Sequence, residues 1–251
     1  MTRTLIVAPS AREAAAIGAD AAVCGAGAGA GGDVAARLRD GAFDLVVIAG
    51  VCGGLDPSLA PGSLIIARRC VAPDGEERAV DAAVLDAMRA ALRARRIPFV
   101  SSSLLTVATP VASRREKTEL WNRHGAAGVD METFGVVAAA EAAGVPWLAI
   151  RAVVDAARDA LPPSLRDWTG DVPDREIART ALRHPAEWLA YARLALNMRA
   201  ALRALRASAP ALRTAARALD GRAALAPAAA AIPIEVVGVR AGSGTTGGGS
   251  G

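Results

Sequence analysis

Lysine is nearly missing from this chain. Of 29 basic residues only Lys117 is a lysine, and alanine makes up much of the apolar fraction. We read both as compositional bias and not as the mark of a ligand. Aromatic residues are scarce too, at 3%, which leaves few platforms on which bases could stack. The formal net charge of +4 is modest, and the excess arginines gather after about residue 180. A dedicated nucleic-acid binder would carry a basic face interleaved with aromatics, so that class is excluded.

Cysteines are few and unpatterned. Cys24, Cys52 and Cys70 are odd in number, widely spaced and without a C-x-x-C, which excludes a disulfide framework and a zinc site. No metal is expected. No apolar run is both long and charge-free enough to span a bilayer. The opening MTRTLIVAPS enters a strand-like run at once, without a signal-peptide core or cleavage site. The expectation is a cytoplasmic protein.

What is present is a core. At 251 residues and 53% apolar, the chain can bury one sizeable α/β domain with a C-terminal appendage. TLIVA (4–8), DLVVIAG (44–50), LIIARRCV (64–71) and VPWLAIRAVV (145–154) are continuous runs of the kind found in strands buried on both faces. IPFVSSSLLTVAT (97–109) reads as one or two more. Helices are predicted after Ser10, with Glu13 three residues on, at 33–40, at 81–95, from Ser113 with Glu116 through about 123, and at 133–143. Strands alternating with helices across short turns predict a three-layer αβα architecture around a mixed sheet.

The character changes after Asp155. DALPPSLRDWTGDVPD is a proline-rich loop, and a helix follows from His184 to Arg206. Trp188, Tyr191, Ala195, Met198, Leu202 and Leu205 form a narrow apolar stripe on it, flanked by Arg193, Arg199, Arg203 and Arg206. From 208 the periodicity is lost and the chain ends in glycine and serine. The expected organisation is a catalytic-type domain at 1–182, an amphipathic helix at 183–207 and a weakly structured tail at 208–251.

Several residues invite chemistry. Gly27, Gly29 and Gly32 satisfy G-x-G-x-x-G before a helix, the dinucleotide fingerprint. Asp33 at that helix start would repel a pyrophosphate, and DLVVIAG ends without the acid that grips a ribose, so a nicotinamide cofactor is not expected. The remaining reading is a small-molecule site lined by these glycines. Asp155 and Glu132 each follow a strand, where α/β folds place ligands; a cap explains one acid but not the pair. Glu13 reads equally as a capping-box partner of Ser10. His124 and His184 have no acid or nucleophile at a diagnostic spacing.

Three blocks together resemble the nucleoside phosphorylase/nucleosidase superfamily, which includes methylthioadenosine/S-adenosylhomocysteine nucleosidase. They are IAGVCGGLDPSLAPGSLIIA (48–67), VDMETFGVVAAAEAAGVPWLAIRAVVDAA (129–157) and the first strand with Glu13. GGLDPSLAPGSL, DALPPSL (159–165) and RHPAEWLAYARLALNMRAALRAL (183–205) are similar to the hopanoid-biosynthesis-associated phosphorylases, which act on adenosylhopane.

The resemblance implies a nucleoside phosphorylase-like fold and release of adenine by cleavage of an N-glycosidic bond, without a cofactor. It implies Glu132 on the ribose hydroxyls with Met131 against the sugar, Asp155 at purine N7, and Glu13 activating a water. It sets the phosphate or water region at Arg12 and Gly53, and the base pocket at Thr109, Pro110, Val111 and Val154. Two positions depart from the pattern. Val154 replaces the usual serine before the aspartate, and Val51 stands where phosphorylases carry a phosphate-binding hydroxyl. Arg12 is the replacement candidate for phosphate as co-substrate, and hydrolysis is favoured. The alternatives are a methylthioadenosine/S-adenosylhomocysteine nucleosidase, a purine nucleoside phosphorylase, or an inactive nucleoside-binding or membrane-scaffold protein. The helix at 185–206 has three readings: packing on the core, packing on a second subunit of a homo-oligomer, or lying peripherally on the inner membrane face. The last would bring a lipid-linked nucleoside to the site.

Overall fold

Leucine, isoleucine and valine in unbroken runs favour strands buried on both faces, and the computed structural model, which describes residues 3–166 and 174–223, shows them so. The strands are β1 (Thr4–Ala8), β2 (Ala21–Val23), β3 (Leu45–Gly54), β4 (Leu64–Val71), β5 (Glu77–Ala79), β6 (Val100–Thr106), β7 (Gly128–Asp130) and β8 (Trp147–Asp155). The α-helices are α1 (Ala11–Ile17), α2 (Ala30–Asp40), α3 (Ala82–Ala94), α4 (Arg114–His124), α5 (Thr133–Ala142), α6 (Asp174–Arg183) and α7 (Trp188–Ala223). The expected mixed α/β architecture with a central sheet and a long C-terminal helix is what the chain forms. The stretch 97–109 yields one strand, and the helix expected at 33–40 starts at Ala30.

β1, β3 and β8 run parallel, and β8 pairs antiparallel with β4. From β4 the sheet continues through parallel β6 and β7, and β7 returns to the end of β3 in antiparallel register. Five strands, β3, β8, β4, β6 and β7, therefore close into a ring. β3 is ten residues long and serves three partners, β1 along its first half among them. Its body pairs with β8, and a register shift between Cys52 and Gly53 turns its end, so that Gly53 lies opposite both Val129 and Asp155. That splayed strand end positions the site.

Helices cover the sheet in two groups, α2 with α5, and α7 with α1 and α3. The first pair approaches closely: a Cβ on Gly31 would lie 2.6 Å from the carbonyl oxygen of Gly135. α7 corrects the expected boundary at 207. Leu205, Ala209, Leu212, Ala216 and Leu219 continue the apolar stripe at three- and four-residue steps, and all pack on the core. Pro210 sits inside the helix, where it costs about 3 kcal/mol. Full burial of Leu205 and Leu212 contributes roughly 1.5–3 kcal/mol each, enough to carry the helix past it. Of the tail expected at 208–251, residues 224–251 lie outside the described residues, as do 167–173 of the proline-rich loop.

Candidate active site

The hydroxyl of Ser10 caps α1 by accepting the Glu13 N–H, and donates to Glu13 Oε2 at 2.5 Å. Glu13 does more than cap. It is buried, and its Oε1 accepts the Val51 N–H of β3 at 2.7 Å. Only a glycine at position 50 permits this approach, since a Cβ there would lie 2.7 Å from Glu13 Oε1 and 2.4 Å from Arg151 Nη1.

At the junction after β7, capping falls to Asp130. Its Oδ1 accepts the N–H groups of Glu132 and Thr133 and the Thr106 hydroxyl, while Oδ2 takes the Thr133 hydroxyl and the Arg151 guanidinium at 2.8 Å. Glu132 makes no capping bond. Its Oε1 accepts the Gly27 N–H at 2.8 Å, and Oε2 lies 3.4 Å from Arg151 Nη2. Gly27 has φ +81°, a conformation that glycine adopts without a steric penalty. The glycine-rich turn thus closes on a carboxylate. Burial raises the Glu132 pKa and the Arg151 charge opposes it.

Asp155 ends β8 and is buried. Its Oδ2 pairs with the Lys117 ammonium of α4, which also donates to the carbonyls of Ala156 at 2.9 Å and Asp159 at 3.1 Å. Burial pushes the carboxyl up to about 6, against the opposing pull of the lysine charge and its hydrogen bond. A carboxyl poised there is suited to give or hold a proton near neutrality. The Cys52 thiol beside it is pushed up by burial, which leaves no ready thiolate nucleophile.

A cavity of about 260 Å³ opens among these elements. Four acids reach it, Glu13, Asp130, Glu132 and Asp155, between apolar walls that include Val51, Val107, Val129 and Leu161. The predicted residues Met131, Gly53, Thr109, Pro110, Val111 and Val154 also line it, whereas Arg12 does not. No lysine, arginine or histidine stands among the described lining residues. Glu132 and Asp155 each follow a strand, as expected, but the two strands do not pair with each other. β7 and β8 are joined through β3, which pairs with both.

A family model described as the phosphorylase superfamily matches residues 22–183, well over half of the chain. The chain belongs to that superfamily. No curated protein matches it. Among solved structures it is similar to methylthioadenosine/S-adenosylhomocysteine nucleosidase of Helicobacter pylori with butyl-thio-DADMe-Immucillin-A, at 14% identity and a TM-score of 0.66, covering 87% of this chain and 99% of the other. Futalosine hydrolase of the same organism matches at 14% identity and a TM-score of 0.63, over 86% and 98% of the two chains. A putative methylthioadenosine/S-adenosylhomocysteine nucleosidase of Francisella philomiragia matches at 16% and 0.64, over 86% and 99%. At such identities the likeness establishes a nucleosidase-type fold; the superfamily rests on the family model.

Two residues of the site escaped the sequence reading. Arg151 is a fully buried charge in the middle of β8, and an arginine inside an otherwise apolar strand was the available signal. Lys117 was visible only as a compositional oddity. Its place behind Asp155 joins positions 38 residues apart, which no local pattern encodes.

Proposed function

We propose that the protein is a nucleosidase that hydrolyses the N-glycosidic bond of an adenosyl compound and releases adenine. Convergence of Glu13, Glu132 and Asp155 on one cavity supports it. Glu132 accepts the ribose hydroxyls in charge-assisted bonds, with Met131 against the sugar. Asp155 gives its proton to N7 as the C1′–N9 bond breaks and the bonding pair passes to the base. Water adds to C1′ and yields a proton to Glu13. Water is favoured over phosphate by charge: four acids line the cavity, the two cations behind them leave the surroundings negative, and Arg12 stands outside.

The finer substrate reading is adenosylhopane, a lipid-linked nucleoside whose tail would extend from so small a cavity. Leu182, Trp188, Leu189 and Leu196 are exposed on α6 and α7 beside exposed Arg193 and Arg199, which supports peripheral contact with an anionic membrane. Among the described residues no helix is long and apolar enough to cross one.

Adenine release from adenosylhopane and from methylthioadenosine, each with and without phosphate, tests the proposal. We expect release of adenine and a free sugar, independent of phosphate, and an Asp155→Asn loss of about 10²–10⁴-fold. No adenine from either substrate with folded protein would sink the proposal; ribose 1-phosphate as product would move it to a phosphorylase. The apolar Val154 beside the acid favours a second reading, a nucleoside-binding scaffold, which predicts substrate affinity without turnover.

A further inference from the structure

Lysine 117 stands alone in a chain that otherwise uses arginine, and it lies fully buried behind the cavity without lining it. Its ammonium donates to Asp155 Oδ2, the Ala156 carbonyl and the Asp159 carbonyl, with the Asp155 carbonyl a more distant acceptor at 3.5 Å. A compact ammonium with three rotatable donors suits three converging oxygens, whereas the planar fork of arginine does not. Burying such a pair contributes little net stability, because desolvation offsets the attraction. A structural role alone therefore gives a weak account of it.

We propose that Lys117 is the positioning residue for Asp155, holding its carboxyl and the 156–159 turn in place and stabilising the aspartate that forms as the proton passes to the leaving base. This rests on the nucleosidase reading of Asp155. The ammonium is already aimed at the oxygen on which charge develops, so no reorganisation is needed during the reaction. It also joins α4 to the turn whose far end, Leu161, bonds to Ala112 and lines the cavity. The other groups acting on the pair are Asp159, which Arg193 of α7 approaches at 3.7 Å, and the Cys52 thiol of β3.

The single lysine makes the test direct. Protein grown with [ε-¹³C]lysine carries one labelled side chain, whose ε-methylene signal reports on its own ionisation and on its partner. We expect that signal to shift as Asp155 titrates, and Asp155→Asn to remove the shift. Lys117→Met and Lys117→Gln, checked for folding by circular dichroism, should lower kcat for adenine release by about 10²-fold, with KM little changed. The alkaline fall of the rate profile should move to higher pH, because Asp155 then holds its proton more tightly. In the Asp155→Asn background, Lys117→Met should cost almost nothing further. A lysine signal that ignores both pH and Asp155→Asn, or folded Lys117 variants with the native rate and profile, would overturn the inference. If wild type releases no adenine, the proton-donor role falls with the nucleosidase reading, while a coupled lysine signal still assigns Lys117 the positioning of Asp155.

Discussion

Replacing Arg151 by methionine tests the electrostatic frame behind the site. The guanidinium is fully buried, 2.8 Å from Asp130 and 3.4 Å from Glu132, and donates to the Thr133 hydroxyl at 2.9 Å and the Val51 carbonyl at 3.4 Å. Methionine fills much of the space but strands two buried carboxylates. Removing one partner of a buried pair costs about 3–5 kcal/mol, and two acids share this cation, so the upper half of that range is expected. In a domain of this size each kcal/mol lowers Tm by roughly 2–4 °C, a fall of about 8–20 °C in a thermal melt followed by circular dichroism. Asp130→Asn in the same background removes one stranded charge and should recover part of the loss, giving a coupling of about 1–3 kcal/mol. The pH dependence has a definite sign. Without the arginine the buried carboxylates hold protons more tightly folded than unfolded, so the deficit of the variant should shrink as pH falls. A loss below about 1 kcal/mol, or effects that add to within about 0.5 kcal/mol, would refute the idea that Arg151 neutralises both acids.

Three further outcomes are expected. Glu132→Ala should lower kcat/KM for adenine release by about 10²-fold or more, since two hydrogen bonds to a charged group at roughly 1.5–3 kcal/mol each are lost; ribose-modified substrates lacking both hydroxyls should not distinguish variant from wild type. Asp155, raised from 3.8 to about 6, should make the rate fall as pH climbs through about 6. Its contribution to stability has the same direction, fully present below 3.8 and lost as pH rises through about 6, which denaturant titrations of wild type against Asp155→Asn would reveal. Pro210→Ala should raise stability by about 1–3 kcal/mol in a thermal melt, because the exposed proline interrupts the hydrogen-bond ladder of α7.

Much of the framework was legible locally. Strand runs such as LVVIAG and WLAIRAVV announce burial on both faces through composition alone. Ser10 and Ser113 mark helix starts through chemistry that acts within three residues. Glu132 and Asp155 could be singled out because strand ends are where such folds hold ligands. α7 was legible only to about 207, since alanines dilute the stripe beyond it and Pro210 reads as a stop. The packing of Leu212 and Leu219 on the core overrides both signals.

By itself, then, the sequence determined the long buried strands, the helices between them and the two acids at strand ends, because these depend on residue type and short spacing; the short β2, β5 and α6 were not read from it. Only the tertiary structure decided which groups each acid meets. The closing of β7 and β8 onto the two sides of Gly53 brings Glu132 and Asp155 to one cavity. Asp130, not Glu132, takes the cap, Arg151 is shared by Asp130 and Glu132, and Lys117 pairs with Asp155. Those pairings join residues 19 to 38 positions apart. They exist only where low-dielectric burial makes an unpartnered charge too costly to keep.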